Sequence, residues 1–481
     1  MLQFTDHPMV DVGVAVILDH FETEHPAVLT DSQLKAFAEY LERAYQTPYF
    51  ASYLSVLFTQ NSAYINPTMK EENRRQELDK VLYGYLDKQA ENPYSCVFCG
   101  KPARFRAFRQ HIPLITGVGI INFFPSRRVG VEICPYCLLA IQAFPLGSLK
   151  VAGRTFFVHA DDVELIRKFA RKFKQRNEQN LLLQDVKGGI DGKYAKTLFL
   201  DQLLEVQKDR RRPASHLAGS ITVYHLTNYG TNADIEMYHL PSQVVTLIEE
   251  LQTASYLPTW NQMVRDGWRV IPSGKKKQMD EEEPNAFFHK NELYEDLFGL
   301  PENFRDFIRK HILVGMEKRV NQSRKGEPIT DELRYWEVTE RIVGGVAQVN
   351  LDRVEQTRKL ADKIVDYLKA SNDHRFYRQF FNGSDRNSHR SEYEQFRNLI
   401  IKTNDKVIRE AKKSGKAPEL PFTFDDFIQV FEQWDETGSD WRLGRDLVLL
   451  RVMERLYKEN WFYQNPEAIH NVDSEQREEL V

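Results

Sequence analysis

The chain contains four cysteines, and they fall in two pairs, Cys96-Val-Phe-Cys99 and Cys134-Pro-Tyr-Cys137. This pattern constrains the fold more than any other. Each pair has the spacing that lets two thiolates from one tight turn reach a single ion, and Zn²⁺ takes four such sulfurs tetrahedrally in closed, structural sites. Cys96, Cys99, Cys134 and Cys137 are therefore the candidate ligands of one structural zinc. The stretch between the pairs, Gly100 to Ile133, exceeds the gap of the simplest zinc ribbon. The ion is expected to pin the base of a long insertion covering about residues 96–147.

Rival readings use the same cysteines. Cys134-Pro-Tyr-Cys137 also matches a glutaredoxin-type redox motif, lying between a strand-like 129–133 and a helix-like 138–143, but that reading leaves Cys96 and Cys99 unexplained. A nucleobase deaminase would join a His-x-Glu to a Pro-Cys-x-x-Cys. His20-Phe-Glu22 supplies the first half, yet Ile133 stands where the proline should be. Disulfides suit secreted chains, and nothing marks this one for secretion. The first residues lack the basic start and apolar core of a signal peptide, and no apolar run is long enough to span a bilayer. A reducing, cytoplasmic location is expected.

A length of 481 residues gives room for two or three domains. The net charge of −4 argues against wholesale coating of nucleic acid, but the local distribution differs. Six Lys or Arg and no acid lie between positions 101 and 131, and six more between 167 and 176. Patches of this kind can neutralise phosphates, although a single run is more often a solvated face.

Residues 1–90 read as mostly helical, with Thr30 capping a helix through Leu34, Phe37 and Leu41, and a second helix over 75–86. Asp161 and Asp162 start a basic amphipathic helix. Residues 219–240 read as a β-hairpin whose turn carries Asn228 and Asn232. From about 345 onward, apolar residues at helical spacing mark four segments: 351–368, 393–407, one from Thr423, and 443–456. Positions 350–416 hold 16 Lys/Arg against 10 Asp/Glu, so the first half of this bundle is positive. The expected class is α+β: a zinc-stabilised mixed N-terminal region, 1–340, followed by a C-terminal helical bundle, 341–481.

No Walker A loop, His-Glu-x-x-His or Gly-x-Ser-x-Gly occurs, and the histidines are scattered. A binding protein is expected rather than an enzyme. Directional donors and acceptors on loops suit base edges, while lysines act as point charges on phosphates. The candidates for nucleic-acid contact are Asn122, Arg127, Arg128, Asn228 and Asn232, with Lys275, Lys276 and Lys277 for phosphates.

The run Thr116-Gly-Val-Gly-Ile-Ile-Asn-Phe-Phe-Pro125, joined to Cys134-Pro-Tyr-Cys-Leu-Leu-Ala-Ile-Gln-Ala-Phe-Pro-Leu-Gly147, resembles the Cst-type large subunit of type I-B CRISPR Cascade. Cys96-Val-Phe-Cys-Gly100 and the opening Phe4-Thr-Asp-His-Pro-Met-Val-Asp-Val-Gly13 fit the same pattern, which covers about residues 1–165. The resemblance implies a non-catalytic subunit that reads a protospacer-adjacent motif in double-stranded DNA, opens the duplex and recruits a helicase–nuclease. The implied partners are the guide RNA at its 5′ handle, the backbone and handle-binding subunits, and a small subunit like the C-terminal bundle. Internal translation from Met316 would yield such a small subunit, and residues from about 345 are expected to fold separately and to touch backbone subunits or separated DNA strands. Two other readings remain: a zinc-dependent nucleic-acid-modifying enzyme, and a zinc-stabilised scaffold for protein partners.

Overall fold

Gly13 sets the geometry of the N-terminal half. It lies in α1 (Pro8–His20), whose residues Met9 to Leu18 are all buried. A Cβ built on Gly13 would stand 1.8 Å from the carbonyl oxygen of Ala140. Only glycine lets α1 approach the backbone of the later helix this closely.

The computed structural model describes residues 1–87, 93–115, 117, 119, 128–183, 192–208, 219–228, 233–269, 284–323, 332–381, 392–415, 417, 420–432 and 441–469. After α1 come α2 (Asp31–Tyr45), α3 (Pro48–Leu57), α4 (Glu71–Tyr83), β1 (Phe105–Ala107), β2 (Val131–Ile133) and α5 (Pro135–Ala143). The chain continues through β3 (Leu149–Val151), β4 (Arg154–Ala160), α6 (Val163–Leu182), α7 (Ala195–Lys208), β5 (Ile221–Thr227), β6 (Asp234–Leu240), α8 (Ser242–Leu251) and α9 (Leu257–Gly267). Next are β7 (Trp268–Arg269), β8 (Lys290–Asn291), α10 (Glu292–Leu297), α11 (Phe304–Phe307), α12 (Val314–Ser323) and α13 (Tyr335–Glu340). The last elements are α14 (Leu351–Ser371), α15 (His374–Phe381), α16 (Glu392–Ser414), α17 (Phe424–Phe427), α18 (Trp441–Lys458) and α19 (Trp461–Gln464). The architecture is α+β, as expected. No helix among the described residues is long and apolar enough to cross a membrane.

Two compact units emerge. The first comprises Met1–Thr246 and Trp268–Phe298. Its antiparallel sheet runs β3-β4-β5-β6, and the expected hairpin is present as β5 and β6, with Ile221 opposite Leu240 and Thr227 opposite Asp234. One face of the sheet packs on α6, where Phe156 meets Phe173 with ring centroids 5.9 Å apart. On the other face Phe157 meets Phe144 at 4.7 Å, and His159 reaches Asp11 of α1. The predicted caps are in place. Thr30 and Gln33 form a reciprocal capping box on α2, and Asp162 caps α6.

The second unit comprises Leu247–Gly267 and Gly299–Val481. The expected helical segments appear as α14, α16, α17 and α18. Among the described residues three short π-helical turns, Ile308–Leu313, Arg341–Val346 and Ile428–Glu432, interrupt the α-helical ladder. The unit draws on both sides of position 341. Arg334 donates its backbone N–H to Thr259 Oγ1 of α9 (2.8 Å), and the buried Glu454 of α18 accepts the N–H of Trp336 (3.4 Å).

Candidate metal centre

Backbone pairing brings the two cysteine pairs together. Ser95 bridges Pro102, and within that turn Cys96 N–H donates to Lys101 O (2.7 Å) while Gly100 N–H donates to Cys96 O (2.9 Å). Gly100 closes the turn at φ +71°, a left-handed conformation that side chains disfavour. The chain then enters β1, which pairs antiparallel with β2, Phe105 facing Ile133. Bonds from Val97 N–H to Glu132 O (3.0 Å) and from Arg104 N–H to Ile133 O (2.9 Å) tie the first cysteine turn to β2. β2 runs directly into Cys134, the N-cap of α5, whose Sγ accepts the N–H of Cys137 (3.4 Å).

As a result all four Sγ atoms lie within 4.8 Å of one another, with Cys99 and Cys134 3.5 Å apart. A tetrahedral site with metal–sulfur bonds of about 2.3 Å would hold its sulfurs about 3.8 Å apart, so the quartet fits such an ion. The four thiols are free of disulfide bonds, and three are buried, with Cys99 partly exposed. Hydrogen bonds from the Cys134 and Cys137 thiols hold the Cys96 thiol well below its ordinary range. Bonding to Cys134 and Cys96, together with burial, pushes Cys137 up. A bound cation would displace the thiol protons, because thiolates are the ligating form. Four close cysteines that could hold a metal ion are thus present where the sequence predicted them.

A layer around the quartet goes unread in the sequence. Phe98, inside the first pair, sets its ring at 4.6 Å from His7, edge to face. His7 precedes α1, and its Nδ1 is buried without a hydrogen-bond partner. Burial lowers its pKa to about 4, with the Asp11 carboxylate opposing the shift and His159 adding to it. Asp11 in turn accepts the N–H of Thr5 (2.7 Å) and pairs with His159 Nε2 (3.1 Å). The block from Phe4 to Gly13 therefore seats α1 between the cysteine turn and the sheet.

Of the eight residues proposed for nucleic-acid contact, only Arg128 and Asn228 fall among the described residues. Asn122, Arg127, Asn232, Lys275, Lys276 and Lys277 lie outside them. Arg128 sits over the Tyr94 ring, 4.0 Å from its centroid, and 3.9 Å from Glu132, which Arg106 also holds at 3.0 Å. Asn228 does not meet its expectation: it is fully buried. Its side-chain amide donates to Leu57 O (2.8 Å), and its Oδ1 accepts Arg109 Nε (2.9 Å). It fastens the insertion to the end of β5 and presents no amide to a base. The basic run at 167–176 is also largely committed: Arg171 and Lys174 pair with Asp19, Lys172 with Glu205, and Arg167 with Glu164 and Thr23 O.

No curated protein and no solved structure matches the chain. Residues 89–149, which carry both cysteine pairs, β1, β2 and α5, match the family model described as CRISPR-associated protein (Cas_CXXC_CXXC).

Proposed function

We propose that the chain is the non-catalytic large subunit of a type I-B CRISPR Cascade, located in the cytoplasm, with zinc as a structural ion on Cys96, Cys99, Cys134 and Cys137. The observation that supports this most is the family match across the cysteine-bearing segment, joined to the long block from Thr116 to Pro125 that resembles the Cst-type subunit. In this reading the segment between the cysteine pairs contacts the protospacer-adjacent motif, the bound subunit helps open the duplex, and a helicase–nuclease is recruited. Guide pairing reads the long target sequence, while protein side chains read only the short motif.

The ion would hold the base of the insertion, and its chemistry is that of a closed, four-thiolate structural site. The chain's own residues do the rest. The β1–β2 pair fixes the two ends, Arg106 and Arg128 hold Glu132 between them, and Arg109 anchors the insertion through Asn228. Asn122 and Arg127 carry the directional contacts to bases in this reading, with Lys275, Lys276 and Lys277 as further candidates for phosphates and Asn232 for base edges.

The test is co-expression with a guide RNA and the remaining Cascade subunits, followed by binding to duplexes with and without the motif. Alanine at Asn122 or Arg127 should relax motif preference at a cost of about 1–3 kcal/mol. Asn228→Ala should lower stability without changing which motif is preferred. A chain that fails to co-purify with the guide complex points to a protein-binding scaffold, and turnover of nucleotides by the purified, metal-loaded chain points to an enzyme. Either outcome overturns the proposal.

A further inference from the structure

The four-stranded sheet of the first unit ends in an open strand. β6 is the edge of the order β3-β4-β5-β6, and β5 is its one strand neighbour among the described residues. Asp234, Ile235, Glu236, Met237 and His239 are exposed. Sheet edges are commonly guarded by lysine, proline or a very short strand, because their unpaired N–H and C=O groups are a template for another chain. β6 runs for 7 residues and contains neither lysine nor proline.

Its two faces differ. On one, Arg154 pairs with both Asp234 (2.8 Å) and Glu236 (2.9 Å), and Tyr238 lies edge-on to Phe298, so the acids share a counter-charge within the chain. On the other, a row of aromatic side chains crosses the sheet, from Phe144 to Phe157 (4.7 Å) and on to Tyr224, stacked on Phe157 at 5.0 Å. The register sets Met237 beside Tyr224 and Ile235 beside Leu226. There the row stops, with Met237 62% and Ile235 39% exposed.

We infer that β6 pairs antiparallel with β6 of a second copy of this chain, about a two-fold axis at Met237. Only an extended polypeptide completes the backbone ladder of an edge, and this strand is its own complement. Directly opposed residues in an antiparallel pair share a face. One register overlaps the whole strand: Met237 opposite Met237, Ile235 opposite His239, Glu236 opposite Tyr238 and Asp234 opposite Leu240. No carboxylate then faces another. Each Glu236 stands across from a Tyr238, whose hydroxyl already donates to Glu236 within its own strand. Moving the axis to Glu236 would set like charges opposite one another, which is destabilising, and moving it to Tyr238 would leave Asp234 and Ile235 unpaired. The pairing carries the apolar row from one copy into the next through two thioethers, which suit aromatic neighbours. The contact is one strand wide and belongs with interfaces under about 1,200 Å², so the dimer is a reversible one. The inference concerns the free chain and does not rest on the proposed function.

The experiment uses the full chain alone. Sedimentation equilibrium over a concentration series should show a mass rising from one chain toward two, and amide exchange within residues 234–240 should slow as the dimer fills. Met237→Lys and Met237→Glu each set like charges face to face at the axis, and each should weaken the dimer roughly tenfold. Mixed in equal amounts, the two variants set Lys against Glu and should restore it. That rescue requires position 237 to face position 237, and a variant that had merely lost its fold would not show it. Leu182→Lys, at an exposed site on α6, should leave the equilibrium unchanged. A wild-type chain that stays monomeric throughout the series overturns the inference and leaves the edge to a strand of a different protein. Dimerisation of Met237→Lys at wild-type strength overturns it too, as does a mixture no stronger than either variant alone. None of these results bears on motif preference in the assembled complex, so the two readings fail independently.

Discussion

Gly13→Ala is the most direct test of how the N-terminal unit is built. The added Cβ would lie 1.8 Å from Ala140 O and 2.5 Å from its carbonyl carbon. Both belong to helix backbone and cannot rotate away. Real Cβ atoms essentially never come within 3.0 Å of another heavy atom. Helix α1 must therefore retreat from α5 by roughly 1 Å, and forced overpacking of this kind costs about 1–3 kcal/mol. A gap of about 0.5–1 Å also forfeits about a quarter to a half of the dispersion well for each contact it opens. Against this, alanine in a helix interior regains about 1 kcal/mol over glycine. The expected net loss is about 2–3 kcal/mol, the upper end of the overpacking range with the gap term offsetting the propensity gain. Hydrogen exchange over residues 8–20 and 135–143 measures it locally, and at about 1.4 kcal/mol per decade protection there should fall about 30- to 150-fold. Gly345→Ala is the control, because a Cβ placed there would meet nothing within 4 Å. Its effect should stay under about 1 kcal/mol. Protection within threefold of wild type in α1 and α5 would refute the close-approach argument.

Cys99→Ser should leave an incomplete ligand set, lower metal content below one ion per chain and destabilise the insertion by on the order of several kcal/mol; elemental analysis that finds no metal in well-folded wild-type protein overturns it. His7 supplies a pH test. Its pKa is lowered from 6.5 to about 4, so the fold favours the neutral ring. Its contribution is present in full above about pH 6.5 and is lost as pH falls toward 4, by at most about 3 kcal/mol. His7→Phe should flatten that part of the stability–pH curve relative to wild type, and equal slopes in the two proteins would remove His7 as the cause. A fragment of residues 316–481 lacks α9, whose Thr259 holds Arg334 and whose Trp260 and Met263 are buried. It should give poorly dispersed NMR spectra on its own, whereas sharp, dispersed spectra would show that the helices from Met316 onward suffice.

What can be read in advance is local chemistry. The cysteine spacing, the Thr30 and Asp162 caps, the 219–240 hairpin and the long amphipathic helices α14 and α16 each announce themselves over a short stretch of chain. Helix α1 does not, because it is apolar on every side and shows no period to detect. Asn228 reads as a turn residue free to contact DNA, since nothing near it in sequence indicates that Leu57 and Arg109 will close around its amide. The return of α9 into the second unit depends on partners far along the chain, such as Arg334 for Thr259. Local propensity is silent on the π-helical turns.

The pairing of β1 with β2 has a consequence for how this chain can change. Backbone hydrogen bonds and the four sulfurs fix the two ends of the intervening segment independently of what lies between them. Closing a loop costs free energy only logarithmically in its length, so doubling the segment would add about 0.6 kcal/mol. The stretch between His111 and Arg128 is therefore a replaceable cartridge. Its length and sequence can drift, or be exchanged by design, while the socket that holds it stays the same.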